Sequence, residues 1–298
     1  MVRPFDYYRP ESFEEAFDLL MTPDKAVFPM AGATDLIPMT RDDNWQPDIV
    51  VDIKALRGLR KIELVDSDLC DALGVGKCLY VGAAVRMNEL MRSELVHRSW
   101  GLLAQGAASM GNEQVRNRAT LGGNLCTASP AADAAPALLT LEALALIRGP
   151  RGERSVPIAD FFQGPRKTVL RTGELLVGLL VPPPPVGSAA TYIKLSRRKA
   201  ADLSIVGVAC LAYPHDGGFR WRMALGAVAP TPVRVPEAEA VLNAGYDVEA
   251  IEQAAVCAFD ECCPISDVRS SAEYRRAMVV RMSRRAIEEV LDLLGEEN

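Results

Sequence analysis

The sequence predicts an α+β protein: two small lobes of mixed helix and strand, then a smaller antiparallel sheet closed by helices. Three observations carry that prediction. Strand-like and helix-like periodicities succeed one another up to about residue 181. Residues 182–185 are four consecutive prolines, which cannot continue a helix or donate to a ladder and so favour a stiff extended connector. Beyond them come three strand-like segments in succession, then three helical ones.

Taken in order, Ser12 and Glu15 read as a capping box opening a helix with Phe13, Ala16, Phe17 and Leu20 on one face. Residues 26–30 and 48–53 read as strands, and with the small-residue loop between them they make a first lobe of about residues 1–57. The second lobe, 58–181, has strands at 61–65 and 79–84 separated by an insertion at 67–77. Helices are expected at 87–91 and 98–110. A long ordered loop then covers 114–136, with an apolar helix from about 132 to 144. A hairpin of 144–148 and 154–158 and a strand at 174–181 complete it. In residues 186–298, strands at 191–196, 204–213 and 219–229 share a tight turn at Asp216-Gly217-Gly218, followed by helices at 236–243, 248–259 and 271–294. Ser270 and Glu273 suggest a second capping box. Tyr274, Met278, Met282, Ala286 and Val290 form a stripe expected to face a core.

With 298 residues, 49% hydrophobic and 24% charged, the chain has an ordinary globular composition and room for two domains. A net charge of −6 and scattered arginines argue against nucleic-acid binding. No apolar run reaches the roughly 20 residues of a membrane span, residues 1–10 lack a secretory core, and seven cysteines without such a signal fit reduced thiols in the cytoplasm. His97 and His215 stand far apart, Cys262-Cys263 is not C-x-x-C, and Cys70 and Cys78 lack a second pair, so no metal site is expected. Gly74, Gly76, Gly122 and Gly123 do not make a nicotinamide-type G-x-G-x-x-G. Neither a nucleophile elbow nor a P-loop is present.

Two small-residue loops remain as the candidate site. The first is Pro29, Met30, Ala31, Gly32, Ala33, Thr34, Asp35 and Leu36, a tight turn after a strand whose successive N–H groups could face an anion. The second, inside 114–136, carries Thr120, Leu121, Gly122, Gly123 and Asn124, then Thr127 and Ser129, with glycines that allow close backbone approach and hydroxyls that suit phosphate or ribityl oxygens. With Tyr192-x-Lys194-x-x-x-Arg198 after them, these motifs resemble the FAD-binding (medium) subunit of the molybdenum hydroxylases, the family of xanthine dehydrogenase and aerobic carbon monoxide dehydrogenase. The likeness covers nearly the whole chain.

The resemblance implies a two-lobed PCMH-type FAD-binding domain at 1–181, the proline linker, and at 186–298 a C-terminal domain like that of the carbon monoxide dehydrogenase flavoprotein. It implies that the first loop, Thr120, Gly123, Asn124, Thr127 and Asp133 hold non-covalent FAD, with Met110 near the adenine, Leu176 along the isoalloxazine and Lys194 near the flavin. By residue type alone, Asp133 reads as a helix cap, Leu176 as core, Lys194 as a strand-edge lysine and Cys126 as packing. The family commonly has Gly-Gly where this chain has Gly32-Ala33. The resemblance further implies an iron–sulfur small subunit with two [2Fe–2S] clusters and a molybdopterin-binding large subunit, together a dimer of heterotrimers. Electrons would leave through FAD to an external acceptor such as NAD, a quinone or O₂. A stand-alone flavoenzyme of the same superfamily and a non-catalytic assembly protein are the rival expectations.

Overall fold

A computed structural model describes residues 3–42 and 44–296; the outermost ends of the ranges above lie outside the described residues. The first lobe is a three-stranded parallel sheet in the order β1-β3-β2, built from β1 (Asp6–Tyr8), β2 (Val27–Met30) and β3 (Ile49–Asp52). Helix α1 (Phe13–Leu20) crosses between β1 and β2, α2 (Leu36–Arg41) between β2 and β3. Half of the expected α1 capping box forms: the Ser12 hydroxyl accepts from Glu15 N at 3.1 Å, but the Glu15 carboxylate accepts from Glu11 N at 3.0 Å, one residue before the N-cap. β1 has no apolar alternation, because all three of its side chains are exposed, and it carries no periodic signal.

The second lobe is a five-stranded antiparallel sheet, β4-β5-β10-β6-β7, of β4 (Ile62–Val65), β5 (Cys78–Gly82), β6 (Leu144–Gly149), β7 (Gly152–Pro157) and β10 (Leu175–Val181). The insertion after β4 holds a short helix, α3 (Asp68–Ala72). The helix expected at 98–110 is two, α5 (Glu94–Ser99) and α6 (Gly101–Ser109), following α4 (Met87–Arg92). They break at Trp100, whose indole N–H donates to Pro182 O at 2.8 Å and whose backbone leaves the helical region. The stretch expected as one long loop holds two short helices, α7 (Glu113–Arg116) and α8 (Leu121–Cys126), and the apolar helix expected from about 132 to 144 is α9 (Ala134–Thr140). Asn112 and Thr120 cap the first two through their side chains, and burial of Leu121 and Leu125, one turn apart, fixes α8 despite its glycines. α10 (Ile158–Phe161) and the hairpin β8 (Phe162–Gly164) and β9 (Lys167–Thr168) precede β10.

After the prolines, β11 (Ala189–Leu195), β12 (Val206–His215), β13 (Gly218–Gly226) and β14 (Val233–Arg234) form an antiparallel sheet, backed by α11 (Pro236–Ala244), α12 (Val248–Asp260) and α13 (Ala272–Glu296). Both faces are buried. Val208, Cys210 and Ala212 join the helices' core, while Ala209 and Leu211 join the core of the second lobe. That explains why β12 reads as an unbroken apolar run instead of alternating. The layer on the lobe side is α9, buried on every face from Ala134 to Thr140, as expected of an element apolar all round.

The α13 cap is Ser271, one residue beyond the expected position, accepting from Tyr274 N at 3.1 Å. Of its stripe, Ala286 and Val290 are buried and Met278 and Met282 pack on the core, but Tyr274 is exposed. A turn inside, Arg275 is 1% exposed and donates to Ile205 O, Ala227 O and Asp267 Oδ1. Hydrogen bonds from Arg269 hold the Asp267 carboxyl well below the usual range, against the opposing effect of its partial burial. A carboxyl depressed by folding stabilises above its unfolded pKa and loses that contribution as pH falls. Asp267→Asn is therefore expected to cost about 1–3 kcal/mol at neutral pH by leaving Arg275 short of its anion. The gap from the parent, read by thermal melts, should begin to narrow below about pH 4 and close only as the pH falls through the depressed folded-state value.

Candidate flavin cleft

The two predicted loops meet. They border a cleft of about 460 Å³ walled by residues 29–36, Thr120, Gly123, Cys126, Thr127 and residues 170–174, with Val27, Phe28, Leu20 and Trp45 at the first-lobe side. The meeting is backbone on backbone: a Cβ placed on Gly32 would lie 2.2 Å from Arg118 O and 2.9 Å from Ala119 Cα. Only glycine permits that approach. Ala33, next to it, sits at φ 64°, in the left-handed region that costs a non-glycine residue about 1–2 kcal/mol.

Between the end of β2 and the start of α2, the N–H groups of Gly32, Ala33, Thr34 and Asp35 donate to no group among the described residues. A succession of unpaired N–H groups around a left-handed residue is an anion-binding concavity. Asp35 occupies the N-cap position of α2 but makes no side-chain cap bond. Its Oδ2 instead lies 3.3 Å from Thr127 Oγ1, whose single proton is shared with Gly123 O at 2.9 Å. Burial pushes the Asp35 carboxyl up, with the Thr127 bond and the nearby Arg166 pulling it back.

The second segment works differently. Its N–H groups from Leu121 to Asn124 are used within the fold: Leu121 to Val85 O, Gly122 to Ala83 O, Gly123 to Thr120 Oγ1 and Asn124 to Thr120 O, at 2.9–3.1 Å. Gly122 serves packing, since a Cβ there would come within 2.6 Å of Ala83 Cβ. What this segment turns to the cleft is Thr120, Gly123, Cys126 and Thr127. Close by, Asn124 Oδ1 is buried with no hydrogen-bond partner. A buried acceptor without a donor is a place for a ligand's hydroxyl or N–H.

Besides Leu121, Gly122 and Asn124, four predicted residues lie outside this wall. Met110 ends α6 and packs on the second-lobe core, its carbonyl accepting from Arg116 at 2.9 Å. Leu176 is a core residue at a bulge in β10. Asp133 does not cap α9. Its Oδ1 accepts from Tyr192 at 3.1 Å and Ser204 at 2.5 Å, and its Oδ2 from Lys194 at 2.9 Å. The remaining Lys194 protons go to Ser109 O at 2.9 Å and Asp202 O at 3.0 Å. Side-chain exposure of this pair is 11% and 4%, so it is a buried salt bridge pinning β11 to α9. Burial raises the Asp133 carboxyl, and the three donors aimed at it pull back part of that rise. Residues 170–174 and Trp45, which stacks on Phe28 at 5.7 Å, are wall residues the sequence reasoning missed. The Thr172-Gly173 turn was the available signal for the former.

A two-lobed α+β chain with a turn of unpaired N–H groups on its interlobe cleft and a helix-backed sheet behind it has the architecture of a dinucleotide-binding flavoprotein subunit. Residues 3–184 match the FAD binding domain in molybdopterin dehydrogenase, and residues 191–290 match the CO dehydrogenase flavoprotein C-terminal domain. The chain is 33% identical to the xanthine dehydrogenase FAD-binding subunit of Escherichia coli O157:H7, covering 97% of each chain. It is 32% identical to the carbon monoxide dehydrogenase medium chain of Hydrogenophaga pseudoflava, over 96% of this chain and 97% of that one. Carbon monoxide dehydrogenase from H. pseudoflava superposes with a TM-score of 0.91 at 32% identity over 98% and 99%. Quinoline 2-oxidoreductase from Pseudomonas putida 86 superposes with 0.88 at 27% over 99% of both. This chain belongs to the FAD-binding subunits of the molybdenum hydroxylase family, and is an oxidoreductase subunit.

Gly32→Ala should force the lobes apart, lowering stability by about 1–3 kcal/mol and flavin content with it. Ala33→Gly relieves a left-handed residue and should retain flavin with a Tm equal to or above the parent's. Flavin absorbance per chain and a thermal melt check both. Asp133→Ala leaves Lys194 buried without its anion and should cost about 3–5 kcal/mol, read by denaturant unfolding.

Proposed function

We propose that the chain binds one FAD, non-covalently, in the interlobe cleft, and carries electrons from [2Fe–2S] clusters of an iron–sulfur small subunit to an external acceptor such as NAD. The substrate would be oxidised on a molybdopterin-binding large subunit, the three chains assembling as a dimer of heterotrimers in the cytoplasm. The observation that carries this reading is the row of unpaired N–H groups from Gly32 to Asp35 on the cleft wall, together with the partnerless Asn124 Oδ1 on the second segment. A dianionic diphosphate suits the first, and a hydroxyl-rich ribityl chain suits the second. Bound there, FAD supplies the redox chemistry that joins one-electron carriers to a hydride acceptor.

This chain's residues do the holding. The 29–36 turn grips the diphosphate. Thr120, Gly123 and Thr127 line the other wall, with Asn124 assigned to the ligand through its partnerless Oδ1. Met110, Asp133, Leu176 and Lys194 support it from behind, since the polar groups of Asp133 and Lys194 are already engaged with one another. We divide the chain into the FAD domain, 1–181, the proline linker, 182–185, and the C-terminal domain, 186–298.

Purified full-length chain should show flavin absorbance at one FAD per chain, released by acid because it is not covalently held. A colourless protein that stays colourless after incubation with FAD overturns the flavin assignment. Size-exclusion chromatography of material from the native source should bring two further chains with it, one rich in iron and sulfide. Elution alone overturns the complex and leaves the flavin assignment standing.

A further inference from the structure

The five-stranded sheet has a second cavity, on the face turned away from its main core. At about 560 Å³ it is larger than the flavin cleft and falls within the range of small-molecule sites. Its floor is Val65, Tyr80, Leu146, Val177 and Leu180, contributed by four strands, and Phe13 of the first lobe closes one side. Flanking side chains collect into two separate minor clusters, one around Leu59 and one around Cys70, Cys78 and Leu180. The Tyr80 ring lies between them against Gly178, its hydroxyl donating to Val177 O at 3.2 Å, and Phe13, Val65, Tyr80, Leu146 and Val177 stay only half-buried. Interiors are normally packed shut, so an apolar concavity of this size forgoes dispersion contacts that a ligand would restore.

The rim is cationic. Arg57, Arg148 and Arg154 line it against a single carboxylate, Glu153. Arg154 is engaged by Glu174 at 2.7 Å. Arg148 lies over the Phe13 ring at 4.3 Å and pairs with Glu153 at 3.3 Å. Arg57 is exposed and has no partner among the described residues. We propose that this cavity is a binding site, separate from the flavin cleft, for an amphiphilic monocarboxylate: its chain lies on the sheet face between the two minor clusters and its carboxylate meets Arg57 at the rim. The concave shape favours a small molecule over a protein segment, and the unpaired guanidinium favours an anion over a neutral lipid.

Hexanoate, octanoate and decanoate titrated by calorimetry into the flavin-loaded full chain test this. Saturable binding at one per chain is expected, tightening about fourfold per added methylene until the cavity is filled. Arg57→Gln should weaken decanoate about fivefold and leave 1-decanol unchanged. Ser155→Trp, which places an indole in the cavity, should abolish decanoate binding while flavin content stays at the parent level. No saturable binding, or affinities that neither substitution moves, overturns the proposal. So does binding that vanishes once the chain is in its native complex, which would make the cavity a docking pocket for a neighbouring subunit. Flavin content is read separately by absorbance, so failure here is distinguishable from failure of the flavin assignment.

Discussion

The cleft exists because two stretches of main chain touch at Gly32. The turn after β2 lies on the backbone of Arg118 and Ala119 with no room for even one methyl group. This contact sets the distance between the first lobe and the capped α8 of the second, and so fixes where four unpaired N–H groups point relative to the Thr120 and Thr127 hydroxyls. A side chain at the contact would widen the cleft and separate the two halves of the site. The strain of holding Ala33 left-handed, about 1–2 kcal/mol, is tolerable because the neighbouring contacts over-determine the turn.

The two loops divide the work asymmetrically. Glycine pairs invite the assumption that both expose main-chain donors, but the Gly122-Gly123 pair does not. Its two amides are consumed by Ala83 and Thr120, and that of Leu121 by Val85, which anchors α8 to the loop after β5 and to its own cap. The first loop has no such partners. It sits at the carboxyl end of a parallel sheet, where strands stop and the backbone lacks neighbours, which is where α/β units bind anions. One segment is therefore a rigid wall of hydroxyls and a bare Cα, and the other a set of free donors. A rigid wall keeps the donors' positions from relaxing when charge arrives.

Local pattern made the first loop, the β12–β13 hairpin and the long last helix legible, because each is declared within a dozen residues: a strand then small residues, Asp216-Gly217-Gly218 between apolar runs, a serine cap before an i+4 stripe. Helix α8 was not legible, since Leu-Gly-Gly-Asn-Leu has poor helix propensity and its stability comes from burying Leu121 and Leu125 and from the Thr120 cap. Trp100 broke an expected helix for a reason 82 residues away, its bond to Pro182. Asp133 is the sharpest case. An aspartate before a helix reads as a cap, and nothing within ten residues announces that Tyr192, Lys194 and Ser204 will claim it.

The Asp133–Lys194 pair also explains how a chain of separate sheets behaves as one body. The C-terminal sheet lends Ala209, Leu211 and Ala224 to the second-lobe core, but apolar contact alone does not fix register, since small side chains can slide past α9. A lysine with three acceptors and a carboxylate with three donors can be satisfied in one arrangement only. Such a pair adds little net stability over an apolar substitute, because desolvation offsets most of its attraction. What it supplies is specificity of placement. It seats β11 directly against the end of α6 at Ser109, next to Met110 and one short helix ahead of the cleft wall, so the register of the C-terminal sheet and the geometry of the candidate site are set by the same buried charges.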